Sequence, residues 1–253
     1  AFYGVSGAST FDLEIAARAP TAERATIGGA DFDNPYVTAF RATEARGCTV
    51  ILCGADVTDH IAIYFEHGAD FALIGEGEET LGELLDALTG KSEMSFENIL
   101  GLATLATQHV TRRPDLTHLD ELPFPAWDLV DIDRYKKIWS ERHGYYSMNM
   151  VTTRGCPYHC NWCAKPIWGQ RYNSRSPENV AAEMKWLKET YQPDHIWFAD
   201  DIFGLKPGWI EKLGVLVIEH DAAIQFKCLL RADLVKPSVV EGLKRAGCVW
   251  VWM

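Results

Sequence analysis

No stretch of this sequence is apolar for long enough to cross a bilayer, and no secretory leader opens it. There is no basic surplus or stripe: the formal net charge over 253 residues is −11. That balance argues against nucleic acid or another phosphate-rich partner. Internal repeats and low-complexity tracts are also missing. The chain lacks an opening Met and a polar tail. It begins in the strand-like AFYGVSG, stops inside CVWVWM, and is expected to be a fragment truncated at both ends. The most informative absence is local. Cys156, Cys160 and Cys163 lie together in TTRGCPYHCNWCAKP, and no fourth cysteine stands near them.

What is present suffices for one large or two ordinary domains, with 47% hydrophobic residues to fill their cores. Seven cysteines in a chain without a leader imply a reducing, cytoplasmic setting. Clustered thiols there serve metal or redox chemistry more often than disulfides. In the first hundred residues FYGVSG, CTVILCG and DFALIGEG read as buried strands, and ATIGGAD as a strand or a loop. NPYVTAFRATEARG, DHIAIYFEHG and EETLGELLDALTG read as helices stopped by Gly47, Gly68 and Gly90. This alternation predicts a doubly wound parallel sheet over 1–102. Residues 103–145 carry prolines and charges and read as a packed connecting segment held by Phe124, Trp127, Leu129 and Tyr135. From 146 to 253 SMNMVTT, HIWFADD, IQFKCLL and VWVWM read as strands. SPENVAAEMKWLKETY (Ser176 as N-cap), GWIEKLGVLVIEH and PSVVEGLKRAG read as the helices between them. The fold class is therefore α/β, a Rossmann-like domain followed by a partial βα barrel. In a barrel, chemistry sits at the C-terminal strand ends, where the cysteines, ADD and RAD all fall.

Thiolates hold iron–sulfur clusters, normally four to a cubane. Three thiolates leave one iron open for a ligand, as catalytic zinc sites keep an open position. The competing reading is a structural zinc site. It needs a fourth ligand, for which His159 beside Cys160 is a poor geometric candidate.

The CxxxCxxC spacing with aromatic Trp162 before the last cysteine, following a strand, resembles the radical S-adenosylmethionine (SAM) superfamily. The resemblance implies that Cys156, Cys160 and Cys163 bind a [4Fe–4S] cluster whose open iron is chelated by SAM, and that SAM is cleaved reductively to a 5′-deoxyadenosyl radical. It implies an electron donor such as flavodoxin or ferredoxin. It places Asp200 and Asp201 where the family binds the SAM amino group, although the commoner Gly-Gly-Glu form is absent; helix-capping acids are the plainer reading. It places Arg231 to meet the SAM carboxylate, against a surface salt bridge as the plainer reading.

The amino-terminal half is similar to cobalamin-binding domains. GVSGAST supplies Ser6 and Gly7, ILCGADVTD supplies Cys53 and Gly54, and LIGEGEETLGELL supplies Gly75, Glu76, Gly77 and Glu78. Small residues there let backbone approach a flat corrin. The plainer reading is any doubly wound domain with glycine turns. The Asp-x-His-x-x-Gly motif of some relatives is absent. Together the halves resemble anaerobic magnesium-protoporphyrin ester cyclases and cobalamin-dependent radical SAM methyltransferases, which implies methyl transfer to, or oxidative cyclisation of, a small-molecule substrate. An RNA-modifying methylthiotransferase is disfavoured by the acidic balance. A non-catalytic cobalamin protein with a structural metal remains the non-enzyme reading. Cys48, Cys228 and Cys248 are expected in the core, as are the tryptophans of HIWF and VWVWM. His67 and His195 are expected at the surface or in caps.

Overall fold

Residues 49–161 and 171–253 are described by the computed structural model, and the chain divides into two compact units, 1–115 and 116–253. The strand FYGVSG, the helix NPYVTAFRATEARG, Cys48, Ser6, Gly7, Trp162 and Cys163 lie outside the described residues.

In the first unit the apolar run after Cys48 forms β1 (Ile51–Cys53), followed by short helices α1 (Ala55–Asp59) and α2 (Ile61–Glu66). The chain then enters β2 (Phe71–Leu73), helix α3 (Glu78–Leu88) and β3 (Leu102–Thr104). β1 and β2 are parallel, whereas β3 runs antiparallel to β2 with Ala72 opposite Ala103. That hydrogen-bonded return is part of the segment expected to connect domains. Arg113 fixes the far side of α3 by donating to Glu79 at 2.8 Å and to Thr80 Oγ1 at 3.2 Å.

The second unit is built on four parallel strands in the order β4, β7, β8, β9. β4 is Ser147–Met150, β7 His195–Phe198, β8 Gln225–Leu229 and β9 Cys248–Trp252. Between β4 and β7 a two-rung antiparallel ladder joins β5 (Thr153–Arg154) to β6 (Asn173–Ser174), with Thr153 opposite Ser174. Helices α5 (Pro177–Thr190), α6 (Trp209–Glu219) and α7 (Pro237–Ala246) make the crossovers. Ser176 caps α5, its side chain accepting from the Asn179 N–H at 3.1 Å. An additional helix, α4 (Ile132–His143), precedes β4, with Asp131 as N-cap and Gly144 as its left-handed stop.

Strand residues alternate between two faces. Met148, Met150, Ile196, Phe198, Phe226 and Cys228 pack against Val180, Met184, Leu187, Ile210 and Leu213 from the helices. α6 and α7 meet backbone to backbone, because a Cβ on Gly214 would stand 2.5 Å from the Gly242 carbonyl oxygen. Three expectations change here. Trp197, Trp250 and Trp252 alternate with the core residues and so occupy the opposite face, where Trp250 is 63% exposed. Cys248 is half-buried, whereas Cys228 is fully buried as expected. His195 is buried, with Nδ1 hydrogen-bonded to Ser147 Oγ at 2.9 Å. Burial, and then the Lys227 charge, lower its pKa.

Candidate functional site

Parallel strands bring their C-terminal ends together, and this edge of the second unit carries Cys156 and Cys160. β4 ends at Met150, and the chain passes through Thr152 and Thr153 into Gly155, whose φ of +81° turns it into Cys156. Such a φ is costly for any residue with a Cβ. Cys156 is half-buried and Cys160 exposed, and both are free thiols. Among the described residues no three His, Cys, Asp or Glu side chains gather as a metal set, and the third cysteine of the motif lies outside them. Cys156 and Cys160 are thus two accessible thiols at a strand-end mouth, donors of the kind that iron–sulfur clusters take.

Asp200 and Asp201 follow β7, and they face different ways. Asp200 is 1% exposed. Its Oδ1 accepts from the Thr152 N–H at 2.7 Å and the Thr153 N–H at 2.9 Å, and its Oδ2 from the Thr152 hydroxyl at 2.6 Å. With its oxygens so engaged, Asp200 ties the end of β7 to the chain entering the cysteine segment. Burial pushes its pKa up to about 6, and the hydrogen bonds from Thr152 and Thr153 oppose that rise. Asp201 is exposed. Its pKa is also raised, by desolvation.

Arg231 stands just beyond β8. Its guanidinium carbon lies 3.6 Å from the centre of the Tyr158 ring, and Nε donates to Asp233 at 2.9 Å. Asp233, first, and then the negative ends of Tyr158 and Cys160 raise its pKa. A cation thus stacks on the aromatic residue between the first two cysteines. Tyr172, missed in the sequence, closes the other side. Its hydroxyl accepts from the Leu205 N–H at 3.1 Å, and Asp200 and Cys156 both contribute to its raised pKa, after burial. The signal available was its place in QRYNS, one residue before β6.

Below the Thr152–Arg154 stretch lies a cavity of about 320 Å³ lined by Phe124, Trp127, Arg154, Arg175 and Glu183, among others. Arg175 forms an ion pair with Glu183, and donates to the Val151 carbonyl at 3.0 Å and to Asn179 at 2.6 Å. Burial raises the Glu183 pKa, and Arg175 opposes it. Arg175→Met strands the Glu183 charge and is expected to cost about 3 kcal/mol. The double variant Arg175→Met/Glu183→Leu should recover most of that in urea denaturation. A single variant as stable as the parent would remove the pair from the supports of this strand end.

In the first unit, Cys53 ends β1 half-buried, its thiol pKa raised by burial and then by Glu78. Gly54 has a φ of +123°, and nothing lies within 4 Å of where its Cβ would be. Backbone there is open to a flat ligand. Gly75 and Gly77 are tightly packed instead: added Cβ atoms would stand 2.8 Å from Arg112 Nε and 3.1 Å from the Leu73 side chain. Glu76 is buried, and Glu78 opens α3. Of the described glycines expected from the sequence to approach a corrin, Gly54 is the one with no atom within 4 Å of an added Cβ.

Residues 150–252 match the Radical SAM superfamily model. An uncharacterised methyltransferase of Pyrococcus horikoshii is 30% identical over 187 residues, covering 72% of this chain and 39% of that protein. The anaerobic magnesium-protoporphyrin IX monomethyl ester cyclase of Synechocystis is 27% identical over 192 residues, covering 74% of this chain and 37% of that protein. The chain therefore spans about two fifths of the length of these relatives. Among solved structures, the radical SAM methyltransferase TsrM from Kitasatospora setae, with cobalamin and a [4Fe–4S] cluster bound, shares the fold. Its TM-score is 0.66 at 17% identity, over 86% of this chain and 44% of that one. No helix among the described residues is long and apolar enough to cross a membrane. With Cys156 and Cys160 at the mouth of a parallel βα sheet, the chain carries over residues 150–252 a domain that matches the radical SAM superfamily.

Proposed function

We propose that the chain is part of a cobalamin-dependent radical SAM enzyme that methylates an unactivated carbon of a small-molecule substrate. The observation that carries this reading is the strand-end mouth, where Cys156 and Cys160 flank Tyr158, Arg231 stacks on that ring, and Asp200 holds the entering chain. Cys156, Cys160 and Cys163 would hold a [4Fe–4S] cluster through their thiolates. When bound, that cluster supplies the electron that cleaves SAM to a 5′-deoxyadenosyl radical.

The chain's own residues bind and orient. Arg231 offers a charge-assisted hydrogen bond to the SAM carboxylate, and exposed Asp201 offers one to its ammonium. Asp200 acts through Thr152 and Thr153, as a positioning residue. In the first unit, the open backbone at Gly54 would receive the corrin beside Cys53, and TsrM, with cobalamin bound, supports that assignment. An electron donor of the flavodoxin or ferredoxin kind, and a reducing cytoplasmic compartment, go with such a cluster.

Methyl transfer is favoured because the P. horikoshii relative and TsrM are both named methyltransferases. The cyclase of Synechocystis supports oxidative cyclisation as the second reading. The test is anaerobic reconstitution of the full chain with iron, sulfide and cobalamin, followed by assay for 5′-deoxyadenosine. Product mass then decides: a gain of one CH₂ supports methyl transfer, and ¹⁸O from water supports oxidation. An iron-loaded protein that never cleaves SAM would defeat the proposal.

A further inference from the structure

The cysteine mouth leaves one face of the second sheet without a role. On the face opposite the helices, Asn149, Trp197, Lys227 and Trp250 form a row across all four strands. The ladders pair Asn149 with Trp197, Trp197 with Lys227, and Lys227 with Trp250. Lys227 Nζ lies 4.7 Å from the centre of the Trp197 ring. The Trp250 ring lies 6.4 Å from that of Trp252. Among the described residues no carboxylate forms an ion pair with Lys227; the groups facing it are the Trp197 ring and the His195 imidazole.

In a chain of net charge −11, an ammonium left without an acid between two indoles is complementary to an anion. Indoles on the two neighbouring strands, Trp197 in contact with Lys227 and Trp250 opposite it in register, favour a flat π-system against them. Lys227 stands two residues before the end of β8, so about 7 Å of strand separates it from the mouth.

We propose that this row is the floor of the substrate site and that it selects a planar, conjugated molecule bearing a carboxylate. The carboxylate sits at Lys227, the rings lie against Trp197 and Trp250, and the reacting carbon is on the far side, toward the cysteines. This inference rests on the radical SAM reading of the strand-end mouth.

The test uses the full chain, reconstituted anaerobically, and two probes with one ring system: 1-pyrenebutyrate and 1-pyrenebutanol. Binding is followed by tryptophan-to-pyrene energy transfer. The parent is expected to bind the butyrate about tenfold more tightly than the alcohol, the size of one charge-assisted hydrogen bond. Lys227→Met should erase that preference without weakening the alcohol, Lys227→Arg should keep it, and Trp197→Leu should weaken both probes. Unchanged butyrate binding in Lys227→Met overturns the proposal, as does the absence of saturable binding of either probe. Displacement of the butyrate by SAM would give the row to SAM and overturn it too. The titration reads the row whether or not iron loads, while 5′-deoxyadenosine formation by the same preparations reads the mouth, so the two readings fail separately.

Discussion

Cys156→Ala, Cys160→Ala and Cys163→Ala are each expected to lose the visible absorbance of an iron–sulfur cluster and all SAM cleavage, while the folded chain persists. The effect is large because each thiolate would hold one iron, and no other donor set gathers among the described residues to replace it. The fold should survive because Cys160 is exposed and Cys156 half-buried, where substitutions move stability by about 0.5 kcal/mol or less. Cys228→Ala is the opposite case. Its side chain is fully buried in the core, so it should lower the thermal midpoint and leave iron content unchanged. Iron and sulfide analysis beside thermal melts separates the two patterns. Full iron loading in the triple cysteine variant would end the cluster assignment.

Asp200→Ala should cost on the order of 5 kcal/mol, since two backbone donors and one hydroxyl lose their acceptor in a site closed to water, at roughly 1–3 kcal/mol each. Asp200→Asn should be mild: its oxygen can keep both amide donors, and its amide can donate to the Thr152 hydroxyl. The pair also carries a pH signature. The folded-state pKa of about 6 lies above the ordinary 3.8, so the folded protein holds its proton more tightly than the unfolded chain. The associated stability is fully present below pH 3.8 and is lost as pH rises through 6. The unfolding free energy of the parent, relative to Asp200→Asn, should fall by about 3 kcal/mol across that window. Denaturant titrations of both proteins at several pH values measure this. A flat difference would mean the carboxylate stays ionised throughout. If Asp200→Ala kept its stability but lost SAM binding, the acid would be a direct cofactor ligand instead of a brace.

Much of the second unit was legible because its signals are local. Ser176 and Pro177 mark the start of α5, and apolar alternation marks β4, β7 and β8. Helix α4 escaped because its surroundings are dominated by charges and prolines. Its apolar residues do repeat at helical spacing in Ile132, Tyr135 and Trp139, between Asp131 and Gly144. The antiparallel β3 and the short β5–β6 ladder depend on partners distant in sequence, which no local pattern encodes. The tryptophans show the same limit. Size and apolarity argue for burial, but only strand register tells which face Trp197 and Trp250 occupy. At the site, residue types were readable and orientation was not. Two adjacent acids looked equivalent, yet one is enclosed by Thr152 and Thr153 and the other is open to solvent.

The β5–β6 ladder bears on how metal is acquired. Thr153 paired with Ser174 and Arg154 with Asn173 bring together the ends of segment 155–172 through backbone pairing alone. Closing a chain of that length costs about 2.5 kcal/mol of entropy. Because folding has already met that cost, thiolate binding there would gain up to about seventyfold in affinity over the same segment with free ends. Loading a cluster there would then be uncoupled from folding, unlike small zinc domains in which the metal organises the chain. A cluster lost to oxygen is then expected to be rebuilt on the folded protein without passing through the unfolded state, which iron reloading without denaturant would check.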